Sequence, residues 1–252
     1  MDLDVSVEFA QQLVRDGASA LDLGAVKAGP GEDVTEAEEI ARLIPLVERL
    51  AAGVHAVLSV ETGRPEVVRR AIAAGASIVN DVTGLADPEL AAACGETGAA
   101  LVVMHHGGQI RGRPRNPRYD DVVRDVIQTC EDLATRAEAA GVARDRIVID
   151  PGLDFGKTTF HSLELMRRLD ELVATGRPVL VAPSRKDVVG ETLDLPLEQR
   201  LEGTLALVAL SVAAGAAFVR VHDVLASSRV AAMVEAVLGR VPPAAPVRGL
   251  WE

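Results

Sequence analysis

The stretch Ile149-Asp150-Pro151-Gly152-Leu153-Asp154-Phe155-Gly156-Lys157 decides the fold. The apolar run at 146–149 reads as a short buried strand ending in Asp150. Pro151 and Gly152 stop the strand and turn the chain. A carboxylate at the end of a buried strand is unfavourable unless something hydrogen-bonds it, and the candidates are a side chain, a backbone N–H or a ligand. Glycines at 152 and 156 let a ligand approach the backbone closely. Gly156-Lys157-Thr158 lacks the four-residue spacing between glycines that a phosphate loop requires. The plain alternative is that Asp150 caps the helix that follows.

Outward from this stretch, one punctuation repeats. Amphipathic segments end in Gly17, Gly53, Gly75, Gly98, Gly141, Gly176 and Gly215, as left-handed helix caps do. A short apolar strand follows each, at 18–23, 55–60, 76–79, 100–104, 146–149, 178–182 and 216–221. These runs do not alternate, so both faces are buried, as in parallel sheets. Thr35 and Glu38 form a capping box, Pro45 is expected to kink the helix it lies in, and Pro65 and Pro88 suit first turns. The longest helix is predicted over 119–139, after a mobile loop over 106–118 that carries four arginines.

Polar residues gather where the strands end: Asp22; Ser59, Glu61 and Thr62; Asn80 and Asp81; His105 and His106; Asp150; Ser184, Arg185 and Lys186; Arg220, His222 and Asp223. One-sided polarity across βα units indicates a TIM-type (β/α)8 barrel with its site at the C-terminal face, in preference to a doubly wound open sheet. Seven strands are found, and the chain opens on a helix at 5–15, so the barrel lacks its first strand. The edges at 18–23 and 216–221 then need cover, from a segment upstream of Met1 or from elsewhere. The barrel domain is expected over 1–240 and an extended tail over 241–252.

The 252 residues are 48% hydrophobic and carry a net charge of −11, which disfavours a nucleic-acid or anionic-membrane surface. No signal peptide opens the chain, and the uncharged run at 203–219 is broken by Gly215, so no membrane span is expected. Cys94 and Cys130 have no ligand spacing and suit core packing in a reduced cytoplasm.

Within the polar set, Glu61, Asn80 and Asp150 offer two carboxylates and an amide, and Lys186, Arg220 and His222 offer positive donors. A ligand with a donor-rich ring at one end and an anion at the other suits both halves. Each charged hydrogen bond of this kind contributes about 1.5–3 kcal/mol.

The chain resembles dihydropteroate synthase and the wider pterin-binding family. The matching stretches are Asp22-Leu-Gly24 with Pro30-Gly31, Ser59-Val-Glu-Thr62, Val79-Asn-Asp-Val82, Val103-Met-His105, the 150–157 segment, Ser184-Arg-Lys186 and Arg220-Val-His-Asp-Val224. The resemblance implies that Asn80, Asp150 and Lys186 hold a pterin ring, with Glu61 in place of the family's aspartate. It implies that Arg220 and His222 hold the diphosphate and that Ser184 lies near p-aminobenzoate. Lys186, Arg220 and His222 are the implied catalytic groups, magnesium the implied cofactor, and a dimer through the last helices the implied assembly.

Three departures stand out. The family's Asn-x-Thr-Pro-Asp-Ser-Phe segment, whose asparagine serves the metal, is absent. The threonine and arginine of the second loop are replaced by Ala28 and Gly29, as in a divergent second copy of the synthase in actinobacteria. Glu61 is one carbon longer than aspartate. The resemblance therefore implies a synthase of weak or lost activity in folate biosynthesis, with a pterin-binding paralogue and a pterin-dependent methyltransferase as alternatives. Ser184-Arg-Lys186 with Arg220-Val-His222 favours the synthase branch.

Overall fold

The computed structural model describes residues 2–26, 33–108 and 116–248. The chain order is α1 (Leu3–Arg15), β1 (Ala20–Gly24), α2 (Glu36–Gly53), β2 (Val57–Glu61), α3 (Pro65–Ala73), β3 (Ile78–Asp81), α4 (Glu89–Thr97), β4 (Ala100–Met104), α5 (Val122–Ala139), β5 (Ile147–Asp150), α6 (Thr159–Arg167), α7 (Leu169–Val173), β6 (Leu180–Val181), α8 (Asp187–Leu193), α9 (Leu201–Ala214), β7 (Phe218–Val219) and α10 (Val224–Val237). The strands β1 to β5 pair in sequence order, all parallel. A bridge from Ile149 to Val179 joins β5 to the parallel pair β6–β7. The seven strands are thus an arc of a TIM-type barrel, and among the described residues no ladder joins β7 to β1.

The glycine punctuation works as a repeated helix stop. At Gly17, Gly75, Gly98, Gly141 and Gly215 φ is positive. At each, the next residue's N–H reaches back five residues, as Ala18 N does to Leu13 O and Ala216 N to Ser211 O. That bond consumes the residue after the glycine, so β1, β3 and β7 begin two residues later than expected. Gly53 departs from the pattern: it closes α2 without positive φ, and extended Val54 is the cap. Thr35 and Glu38 form the capping box, and α2 continues through Pro45. In place of a start at residue 119, α5 begins at Val122, because Asp121 caps it by accepting from Val123 N and Arg124 N.

Helices α1 to α5 lay apolar stripes on the outside of the arc. Val47, Leu50, Val67, Leu90, Val126 and Leu133 are buried there against Leu58, Val79, Leu101 and Ile149. Both cysteines are free and buried within α4 and α5. No helix among the described residues is long and apolar enough to cross a membrane. Residues 241–248 of the tail form neither helix nor strand.

Candidate functional site

Every parallel strand delivers its last residue to the same end of the arc. Asp22 on β1 is the hub there. Its Oδ1 accepts from Ser59 Oγ on β2 at 2.6 Å, and its Oδ2 accepts from Asn80 Nδ2 on β3 at 2.9 Å. Arg220, at the end of β7, reaches across the open side of the arc. Its Nε lies 2.7 Å from Asp22 Oδ2, and its Nη2 donates to Glu61 Oε2 at 2.8 Å. Glu61 is only 8% exposed, and burial raises its carboxyl above the usual range against the pull of Arg220. Burial also opposes the Arg220 charge, yet Asp22 and Glu61 hold its pKa above the ordinary value.

Asp150, 4% exposed, ends β5. Its Oδ1 accepts from Gly152 N at 2.7 Å, and among the described residues Oδ2 takes no hydrogen bond. Burial raises its carboxyl, countered first by the Lys186 charge. The next helix, α6, is capped by Thr158 rather than by Asp150. Lys186 caps the turn into α8 and donates to Leu153 O at 2.7 Å, with Nζ 5.1 Å from the centre of the Phe155 ring. Burial lowers its pKa and Asp150 opposes that shift.

After β6, Arg185 takes a left-handed φ of +55°, held by its N–H donating to Thr204 Oγ1. That turn aims its guanidinium at Asp223, with Nε–Oδ2 3.0 Å and Nη2–Oδ1 2.7 Å. Ser184 Oγ accepts from His222 N and lies 2.8 Å from His222 Nδ1. Partial desolvation and the charges of Arg185 and Arg220 hold His222 below its ordinary pKa, so it is neutral at pH 7.

Direct contacts therefore unite Asp22, Ser59, Glu61, Asn80 and Arg220, and electrostatic coupling adds Asp150 and Lys186. Ser184 and His222 form a neighbouring pair. Other polar strand ends turn away. Asp81 accepts from Thr83 N and Leu85 N and shapes its own loop. His105 faces Asp125 on α5 and Lys157. Asp22 and Arg185 carry more of the geometry than their sequence positions announced. Ala28 and Gly29 lie outside the described residues, as does 109–115 of the loop before α5. Among the described residues, no group of three His, Cys, Asp or Glu side chains stands together to hold a metal ion.

Comparison with known proteins agrees with this arrangement. The pterin binding enzyme family model matches residues 1–222. The inactive dihydropteroate synthase 2 of Mycobacterium leprae is 50% identical over 247 residues, which cover 96% of this chain and 85% of that protein. The solved structure of Yersinia pestis dihydropteroate synthase with a sulfonamide drug superposes with a TM-score of 0.91 at 35% identity, over 95% of this chain and 87% of that one. The Xanthomonas albilineans dihydropteroate synthase with 4-aminobenzoic acid gives 0.88 at 37% identity, over 97% and 86%. With the barrel, the strand-end hub and these likenesses together, the chain belongs to the pterin-binding enzyme family and is dihydropteroate synthase-like.

Proposed function

We propose that the strand-end cluster is a pterin site of the dihydropteroate synthase type whose synthase turnover is weak or lost. The observation that carries the reading is Asp150: a buried carboxylate with one oxygen used by Gly152 and the other open to a donor. A pterin presents an amino group and a ring N–H side by side, which suit a carboxylate as a paired donor edge. Asn80 and Lys186 complete the ring contacts, Glu61 borders them, and Ser184 lies toward the p-aminobenzoate side.

In the synthase reaction the aniline nitrogen forms a C–N bond to the pterin methylene while the C–O bond to diphosphate breaks. The electron pair leaves with the diphosphate and the nitrogen gives up a proton. Arg220 and His222 stand where the leaving group's charge develops, a task of electrostatic stabilisation. Two features weaken it: Glu61 in place of a shorter carboxylate, and Ala28 and Gly29 in the second loop. Magnesium prefers several oxygen ligands; Arg220 already engages Oδ2 of Asp22 and Oε2 of Glu61, and among the described residues no three His, Cys, Asp or Glu side chains stand together, so these side chains do not fit a magnesium ion. The name of the mycobacterial relative supports the same reading.

A homodimer through the last helices is part of the proposal, since Leu210, Met233 and Val237 stand exposed on α9 and α10. The two free, buried thiols suit the cytoplasm.

Calorimetry with 6-hydroxymethylpterin tests the site. Asp150→Ala is expected to weaken binding about 10–100-fold, because the ring's donors lose a charged acceptor. Undiminished affinity in that variant overturns the assignment.

A further inference from the structure

The cations at the strand ends are already matched by carboxylates. Arg220 meets both Asp22 and Glu61, Arg185 meets Asp223 through two nitrogens, and Lys186 is set against Asp150. That is four carboxylates for three cations, one negative charge in excess. Two further groups lie beside this set, Asp154 near Lys186 and Lys157 near Asp150; burial takes Lys157 to about 7, so at neutral pH it offsets Asp154 only in part and the excess stays negative. His222 adds no charge at neutral pH.

Asp22 cannot swing away from Arg220 without deserting Ser59 and Asn80. Glu61 is the other half of the clamp. It sits at the end of β2, and its longer side chain lets Oε2 meet Arg220 Nη2 at 2.8 Å. An incoming diphosphate must displace that carboxylate and then lie beside it, like charge against like charge in a partly desolvated site.

We propose that Glu61 is a specificity-determining residue: by completing the internal counter-ion of Arg220 it makes the site accept a pterin whose 6-substituent is uncharged and disfavour one that carries diphosphate. The inference rests on the pterin reading for its ring contacts. Its anion half does not, because Arg220 and Glu61 can be probed without a pterin.

The experiment is calorimetry on the full chain with inorganic diphosphate, 6-hydroxymethylpterin and the diphosphate ester of the latter. Glu61→Gln keeps the length and the hydrogen bond to Arg220 but removes the charge. It is expected to bind inorganic diphosphate at least about tenfold more tightly than the unsubstituted chain, by removal of one like charge near the site. Glu61→Asp, about 1.5 Å shorter, loosens the clamp and is expected to move the same way by less, so the test survives if one variant fails to fold. Adding Arg220→Met to Glu61→Gln is expected to erase the gain. The unsubstituted chain is expected to bind hydroxymethylpterin at least as tightly as its diphosphate ester. Diphosphate binding as tight in the unsubstituted chain as in Glu61→Gln overturns the inference. So does a preference of the unsubstituted chain for the ester. Absence of heat from either pterin, with the diphosphate gain intact, overturns the pterin reading and leaves the anion half supported.

Discussion

Lys157 Nζ donates to His105 Nδ1 at 2.7 Å and so ties the loop after β5 to the end of β4. Nε2 of the same imidazole donates to Asp125 Oδ1 at 2.9 Å, which assigns the neutral ring's proton to Nε2. Lys157 also donates to Gly152 O at 3.0 Å and Phe155 O at 2.8 Å, so one ammonium gathers the loop that carries Asp150. Burial and the neighbouring lysine charge pull the His105 pKa to about 4.

Burial takes Lys157 from its ordinary 10.5 to about 7, against the attraction of Asp150. Between those values the unfolded chain holds the extra proton, so this group makes stability rise with pH across that window. Below it, both states are protonated and the folded state carries the full cost of a buried charge. Lys157→Met is expected to flatten the rise. Urea denaturation at about pH 6, 8 and 10 checks it, and a slope as steep in the variant as in the parent rules the assignment out.

Gly152 has φ +62°, and a Cβ added there would collide with the His105 carbonyl oxygen. Gly152→Ala therefore combines left-handed strain with a backbone clash. It is expected to cost about 2–4 kcal/mol, read as a shifted denaturation midpoint. Pterin affinity is expected to fall with it, since Asp150 Oδ1 is held by the Gly152 N–H.

Synthase turnover by this chain is expected to stay below about 1 s⁻¹, the lower end of ordinary metabolic enzymes. Product formation from hydroxymethyl-dihydropterin diphosphate and p-aminobenzoate, followed with radiolabelled p-aminobenzoate, is the measurement. A faster rate shows that the replaced residues are compensated.

Sedimentation is expected to show a dimer at micromolar concentration. Met233→Glu with Val237→Glu places two charges on the exposed face of α10 and is expected to yield monomer with an unchanged fold. A monomeric parent chain removes the dimer from the proposal.

The fold was legible because its punctuation is local. A glycine after an amphipathic segment needs only its own φ and two backbone bonds, so Gly17, Gly75, Gly98, Gly141 and Gly215 announce their helix ends in sequence. Thr35 and Glu38 do the same across three residues. Strand ends were less legible, since pairing depends on a distant neighbour, and β6 and β7 shrink to two residues each. In the site, Asp150, Asn80, Glu61, Lys186 and Arg220 share one end of the sheet, as strand-end polarity suggests. Their partners were not legible. Asp22 chooses Arg220, and Lys157 chooses His105, through spatial relations between segments far apart in the chain. Arg185 depends on a left-handed turn that an arginine does not advertise.

The order of the ladders, β1 to β5 and then β6 to β7, repeats the order of the chain. Each strand therefore finds its neighbour one or two helices away, and the arc can be laid down progressively as the polypeptide leaves the ribosome. Contacts that span the whole length come last: Arg220 with Asp22, and Ser228 Oγ donating to Asp16 O between α10 and α1. The charge pattern around Arg220 is thus completed only at the final stage of synthesis, so a nascent chain stalled before β7 would carry Asp22 and Glu61 without their counter-ion and have no sealed site. Pulsed hydrogen exchange on stalled chains would show β1 to β4 amides protected before that closure.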